Sequence, residues 1–240
     1  MRKAGFLLFV FLAGNLLAQG DWGQLAVEAN KFYEEKNYAQ AVEKYQQLLE
    51  AGVKNAEVYY NLANGYFKDR QLGRARLCYE RAYRLAPNDE DVIFNLNYLR
   101  SLIKEPPINF WEILYNSIAL HYLTYLASGF YFIFFIFFSI LIFRRSKISF
   151  YGSLFLGSIL FLLVIWWGSR FYSQELVKTA IVINVSAEAR NGPGEDYSLG
   201  FTVPEGRKVV ILEERNEWYA IGLRKEGLKG WLLKNQVEKI

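Results

Sequence analysis

The 240-residue chain is poor in the residues that do chemistry. It has one cysteine, Cys78, and one histidine, His121. A lone cysteine closes no internal disulfide, and its place among apolar residues marks it as a buried structural thiol. A lone histidine with no carboxylate cluster beside it makes neither a zinc site nor a nucleophile–base pair. The sequence shows no glycine-rich phosphate loop and no metal-ligand cluster. A catalytic role therefore ranks last, and neither cofactor nor metal is expected. No cysteine stands near the N-terminus, which excludes a lipoprotein anchor. Proline is scarce too, so each one reads as punctuation: Pro87 and Pro106-Pro107 mark breaks in the first half.

Surplus charge is equally thin. The formal net charge is +4, and Arg2, Lys3, Arg144, Arg145 and Lys147, all beside apolar segments, account for it. Residues 20–107 and those from 169 onward are each close to neutral. The basic character is topological and not a nucleic-acid-binding face.

Apolar and aromatic residues are abundant, at 52% and 18%. Arg2 and Lys3 followed by the apolar run Phe6–Leu17 read as a secretory signal spanning residues 1–20. Cleavage is expected after Gly20, with cleavage after Ala18 or retention as an uncleaved anchor as the alternatives. Two further runs, residues 122–143 and 150–168, each reach the roughly 20 residues that cross a bilayer at about 1.5 Å per residue. The short loop 144–149 between them carries three cations and is expected in the cytoplasm, so the pair forms a hairpin. Export of the N-terminal part and return through the hairpin place both soluble parts outside. Trp111, Tyr115, Tyr122, Trp166 and Trp167 fall where interfacial aromatics belong. Residues 106–121 form a linker and an interfacial helix. Ser153 with Gly157, and Ser128-Gly129, would let other spans approach closely.

Residues 22–55 and 56–89 align in phase without a gap. A period of about 34 residues is that of a helix–turn–helix solenoid, in which no repeat buries its apolar face alone. The second copy resembles the tetratricopeptide repeat (TPR): Tyr59, Leu62, Ala63 and Tyr66 on a first helix, Ala75, Tyr79 and Ala82 on a second, and Pro87 at the end. The first copy keeps Ala29, Phe32, Ala41 and Tyr45 but has Glu28 and Val53 where Leu62 and Pro87 stand. Residues 90–104 begin like a third first helix, with Ile93 and Leu96 packing, and Pro106-Pro107 forbids its partner; the segment caps the all-α solenoid of residues 21–105.

In that resemblance the first helices line a protein-binding groove, formed here by Asn30, Tyr33, Tyr60, Asn64, Phe67 and Phe94. The equivalent amides of Asn30 and Asn64 can hold a peptide backbone with donor and acceptor alike, and the aromatics supply rigid anchors. The alternative is that Tyr60 and Phe67 serve only the stack. TPR domains that grip a C-terminal carboxylate use cations in the groove. The corresponding positions hold Ala26, Glu57, Asp91 and Asn95, so that clamp is excluded.

From residue 176 the pattern turns to short alternating runs, 176–184, 199–203, 208–213, 218–223 and 230–232, separated by turns such as Asn191-Gly192-Pro193-Gly194. This predicts a small all-β barrel over residues 176–240. Its motifs, Ala187–Gly194, Gly206–Val209, Trp218–Ile221 and Gly230-Trp231, resemble bacterial SH3-like (SH3b) domains. Trp218 and Trp231 are expected in the core, and Arg190, Tyr197 and Tyr219 on a binding surface. The barrel and the solenoid are expected to be independent units, because a membrane hairpin separates them.

The order of parts is signal, two repeats with a cap, membrane hairpin and SH3b barrel. It resembles the BatE family of the Bacteroides aerotolerance (Bat) group. The resemblance implies a non-catalytic scaffold in the bacterial cytoplasmic (inner) membrane, with both soluble modules extracytoplasmic. The partners it implies are other membrane proteins, among them Bat proteins with von Willebrand A domains, and a MoxR-type ATPase encoded alongside. The competing reading is an envelope tether or sensor that holds peptidoglycan through the SH3b module.

Overall fold

The computed structural model describes residues 19–144, 147–223 and 226–240. All but the last two residues of the expected signal segment, and Arg145 and Ser146 of the expected cytoplasmic loop, lie outside them. Two helix pairs open the described chain: α1 (Gln19–Glu34) with α2 (Tyr38–Glu50), and α3 (Ala56–Lys68) with α4 (Leu72–Leu85). Helix α5 (Glu90–Leu102) follows.

The repeat is written into the helix ends. Asn55 and Asp89, one period apart, cap α3 and α5 by accepting the main-chain N–H of Val58 at 2.8 Å and Val92 at 3.1 Å. The first helix of each period also stops in one way. Lys36, Arg70 and Lys104 take φ of 62°, 63° and 55°. The next N–H, of Asn37, Gln71 and Glu105, then reaches back to the carbonyls of Phe32, Tyr66 and Arg100 at 2.8, 2.9 and 2.8 Å. Glycine is the usual residue in this left-handed position; a cation there offsets part of the strain by facing the negative end of the helix. So α5 ends as α1 and α3 do. It is a third first helix, and Pro106 stands where its partner would begin.

Between the pairs, Ala29, Ala41, Ala63, Ala75 and Ala82 are fully buried where helices cross closely, around Tyr45, Leu48, Leu62, Leu96 and Leu99. Cys78 is buried in the same core.

After a short helix, α6 (Phe110–Asn116), come α7 (Leu120–Arg144) and α8 (Lys147–Phe171). Both are long and apolar enough to cross a membrane. They run antiparallel: Gly152 lies against Phe137, Gly157 against Phe134, and Trp167 Nε1 donates to Thr124 Oγ1 at 2.9 Å. The small residues at 153 and 157 thus serve the hairpin itself, and Ser153 is buried; Gly129 has open space around it. Phe132, Phe135, Ile136, Phe155, Phe161 and Leu162 all project outward.

Helix α8 continues through a wider turn, Tyr172–Leu176, into seven strands: β1 (Thr179–Val182), β2 (Ser186–Arg190), β3 (Leu199–Pro204), β4 (Lys208–Arg215), β5 (Trp218–Leu223), β6 (Leu228–Leu233) and β7 (Val237–Lys239). They form one antiparallel sheet in the order β3-β2-β6-β5-β4-β1-β7. The expected barrel is not closed by hydrogen bonds, because β3 and β7 remain unpaired with each other. Strands β2 and β7 were not anticipated. The first lay in the Ala187–Gly194 motif, and the second is three residues long.

The core of the sheet also departs from expectation. Its main cluster holds Ala180, Val182, Ala187, Ala189, Val203, Val209, Ile211, Tyr219, Ile221, Leu223, Leu232 and Val237; Trp218 is buried as expected, at 8% exposure, and Trp231 is not. Alternate residues of a strand face opposite ways, so Trp231 cannot share a face with the fully buried Leu232, while Trp218 and Tyr219 are buried on opposite faces of β5. Trp231 is half-exposed beneath the Arg215 guanidinium, 5.7 Å from its ring centre.

The solenoid and the sheet are not the independent units expected. Strand β1 packs on α4, and the fit is close enough that a Cβ on Gly73 would stand 2.5 Å from the Val182 carbonyl oxygen. The Gly73 N–H donates to Glu205 Oε1 at 2.7 Å, and Gly206 rests on Ile103. The helical hairpin that separates the modules along the chain returns it to the same end, so sequence distance did not mean spatial distance.

Candidate functional site

The helical module has two faces, with different chemistry. On the face lined by first helices, Asn30 and Asn64 occupy equivalent places and are held alike: the hydroxyls of Tyr45 and Tyr79, on the following second helices, donate to their Oδ1 atoms at 2.5 Å. Burial pushes the Tyr45 hydroxyl up to about 12 and raises that of Tyr79 further, so both remain protonated donors. The expected amide clamp is therefore altered. Each side-chain oxygen is already engaged, and what the amides turn outward is their N–H donors, which have no partner among the described residues.

Tyr33 and Tyr60 are half-buried nearby; burial, then the neighbouring Tyr38 and Tyr60, raises the pKa of Tyr33. The Tyr60 ring lies 6.0 Å from that of Tyr79, and its hydroxyl accepts from Asn95 Nδ2 at 2.8 Å. Phe67 meets Tyr98 edge to face at 5.8 Å. Phe94 stands clear, 71% exposed. The structure thus gathers Asn30, Tyr33, Tyr60 and Asn64 into one surface, seats Phe67 partly in the stack, and leaves Phe94 as a free anchor. Sequence reasoning missed Tyr45 and Tyr79 as supports of that surface, although they repeat with the same period as the two asparagines.

The opposite face, along α4, carries a buried ionic network. Arg76 is fully buried; its Nε and Nη2 donate to Glu80 Oε1 at 3.0 and 2.7 Å, and Nη2 also reaches Glu105 Oε2 at 3.1 Å. The sheet completes it: Lys208 Nζ donates to the other Glu80 oxygen at 3.0 Å, and Arg207 lies 3.6 Å from Glu105 and pairs with Glu226. Burial alone would raise the pKa of Glu80. The ammonium of Lys208 and the guanidinium groups of Arg76 and Arg100 outweigh it, and hold the carboxyl well below its usual range. Cys78 shows the opposite balance: burial pushes its thiol up to about 12, which leaves it unreactive.

The expected binding surface of the C-terminal module is largely spent on structure. Tyr219 is not on the surface. It belongs to the core, and its ring is covered by the ammonium groups of Lys239 and Lys234 at 4.9 and 5.3 Å. Arg190 Nη1 donates to the Glu195 and Tyr197 carbonyls, both at 2.8 Å, and so ties down the loop after β2. Tyr197 is 50% exposed and leans on Gly192, where a Cβ would lie 2.3 Å from its ring.

Comparison with known proteins bears on the helical module. Residues 56–89 match the tetratricopeptide repeat family model. The chain is similar to the second TPR of Spaghetti (RPAP3) bound to the HSP90 peptide SRMEEVD, at 21% identity over 38% of this chain and 84% of that one, with a TM-score of 0.36. It is also similar to the Arabidopsis OM64 TPR domain, at 14% identity, 58% and 96% coverage and a TM-score of 0.34. A third similarity is to the second TPR domain of human RPAP3 in complex with the HSP70 peptide SGPTIEEVD, at 16% identity, 57% and 98% coverage and a TM-score of 0.32. No curated protein matches the chain.

Proposed function

We propose that the chain is a non-catalytic, membrane-anchored adaptor that captures a protein partner on the concave face of its TPR module. One observation carries this. The sheet seals the α4 side of the helices with buried ion pairs, while the first-helix side keeps Phe94 exposed and the amide donors of Asn30 and Asn64 turned outward. A surface of spare N–H donors flanked by aromatics suits an extended peptide, whose carbonyls accept and whose side chains fill the gaps.

The anchoring is supported by the hairpin. Outside a membrane, two helices that project Phe132, Phe135, Ile136, Phe155, Phe161 and Leu162 would present a large apolar surface to water. Two spans also return the chain to its starting side, which the docking of sheet on solenoid requires. In the sequence, Arg144, Arg145 and Lys147 lie between the two apolar runs, and by the positive-inside rule this supports an extracytoplasmic position for that shared side. The resemblance to BatE-like proteins would place the adaptor in a Bat/MoxR-type stress-tolerance complex at the bacterial inner membrane.

The test is co-purification of a membrane partner from detergent-solubilised cells, followed by binding to Phe94→Ala and Phe67→Ala variants. Loss of an anchor should cost at least about 2 kcal/mol, roughly thirtyfold in affinity. Unchanged affinity in two folded variants would remove the concave face as the site. The exposed Tyr197 favours the second reading, an SH3b-like module that tethers the protein to peptidoglycan. Retention of the full chain on purified peptidoglycan, lost in Tyr197→Ala, would select it.

A further inference from the structure

A second cavity-lining cluster lies away from the groove, where α4, the α6–α7 link, the exit of α8 and the sheet converge. The cavity there has a volume of about 260 Å³, and Tyr83, Arg84, Asn116, Arg170 and Lys208 are among the residues that line it. Arg170 is 1% exposed. Its Nη1 donates to the carbonyls of Tyr115 at 2.8 Å and Ile118 at 3.1 Å, and its guanidinium lies 5.4 Å from the centre of the Tyr115 ring. Neither interaction neutralises the charge. No carboxylate lies within ion-pairing distance of Arg170 among the described residues, and its Nε is buried without a hydrogen-bond acceptor. The Tyr83 hydroxyl lines the same cavity and is likewise buried; it approaches Asn116 without closing a hydrogen bond of normal geometry.

The acids in this cavity are already committed. Glu80 is held by Arg76 and Lys208, and Glu112 lies 3.5 Å from Arg100. An unpaired buried guanidinium is costly, and the partner that it and a phenol hydroxyl lack is an acceptor, best an anionic one. Arg170 also stands one helical turn beyond Trp166 and Trp167, where the apolar part of α8 ends. If α8 spans a bilayer, that is the depth of the lipid phosphates.

We propose that this cavity is a binding site for a phosphate-bearing anion, held by Arg170 and Tyr83 with Arg84 and Lys208 at its margin. Guanidinium and phenol donors both match phosphoryl oxygens, and Arg forms paired hydrogen bonds with them. The same chemistry is offered by an anionic phospholipid headgroup and by free phosphate. Only the lipid source rests on the membrane reading proposed above. The site is independent of the groove, so loss of peptide binding would leave it standing.

The experiment uses the full chain in phosphatidylcholine nanodiscs. One arm titrates inorganic phosphate, followed by phosphorus NMR. The other incorporates phosphatidylglycerol and measures, by native mass spectrometry, the lipid retained by the protein. Saturable binding in the first arm identifies a free ion, and selective retention in the second identifies the headgroup. Either should weaken about tenfold in Tyr83→Phe, which removes one charge-assisted hydrogen bond and keeps the ring, and more in Arg170→Gln. Arg170→Lys, which keeps the charge, should retain part of it. If neither probe binds the unaltered protein, or if Tyr83→Phe and Arg170→Lys both bind as tightly as it does, the proposal is overturned.

Discussion

The two faces of one short solenoid have been put to opposite uses. Along the first helices, polar side chains are positioned by neighbours and still have donors to spare: Asn64 is oriented by Tyr79 and offers its amide outward. Along α4, the polar side chains are paired with a second module: Glu80 serves both Arg76 and Lys208. The contrast separates a face left open from a face sealed by a second module. On the open face Asn30 and Asn64 are oriented from within their own repeats; on the sealed face Lys208, a residue distant in sequence, completes the pairing of Glu80.

The sharpest way to break this comparison is to remove one member of the buried network. Glu105→Ala leaves Arg76 and Arg207 short of a partner, and losing half of a buried ion pair typically costs about 3–5 kcal/mol. Denaturant unfolding should show that loss, together with protease cleavage at the junction. A loss below about 1 kcal/mol, the range of surface pairs, would mean the modules are only loosely joined.

Acid attacks the same contact. The Glu80 carboxyl is pushed up by burial but pulled further down by Lys208 and Arg76, to well below its ordinary 4.5. The unfolded chain therefore binds a proton on Glu80 that the folded chain refuses. Its contribution is complete above about pH 4.5 and declines as pH falls below that value. Proteolysis at the junction should accelerate on acidification, and a flat profile between pH 7 and pH 3 would contradict the geometry.

Gly73 gives a gentler and more discriminating break. In an isolated helix Gly73→Ala is favourable by up to about 1 kcal/mol. In the whole chain the added Cβ meets the Val182 carbonyl oxygen, and overpacking of that kind costs about 1–3 kcal/mol. Opposite signs of the effect in a fragment covering residues 19–105 and in the full chain would locate the interface. Equal effects would deny it.

The smallest effect sharpens the open face. Asn64→Ala removes the acceptor of a buried tyrosine hydroxyl, so it should lower stability by about 1 kcal/mol in addition to weakening binding. Phe94→Ala should leave melting unchanged. If both variants melted alike, the Tyr79–Asn64 hydrogen bond would not be holding the face in shape.

Much of this architecture is legible in the sequence because the signals are local. A helix pair is set by apolar spacing over a dozen residues and by its breaks, so Tyr59, Ala63, Ala75 and Pro87 announce the second repeat. The apolar lengths of α7 and α8 are equally plain. In the sheet, strand positions are readable from β4, β5 and β6, but the burial parity is not. Trp231 and Leu232 are adjacent, both are large and apolar, and nothing local says which one faces in. The register of β5 against β6 decides it: Leu232 pairs with Tyr219 and went to the core, and Trp231 did not.

What the sequence determined by itself was the set of units: the repeats, their cap, two apolar helices and a run of short strands. Each follows from periodicities that act within one element. Tertiary structure alone decided that Glu105, stranded before two prolines, turns inward to meet Arg76 and Arg207. It also decided that Gly73 is the point where a strand more than a hundred residues away is admitted. The reason is physical. A charge can be buried only where its partners converge, and here they come from segments that no local pattern connects.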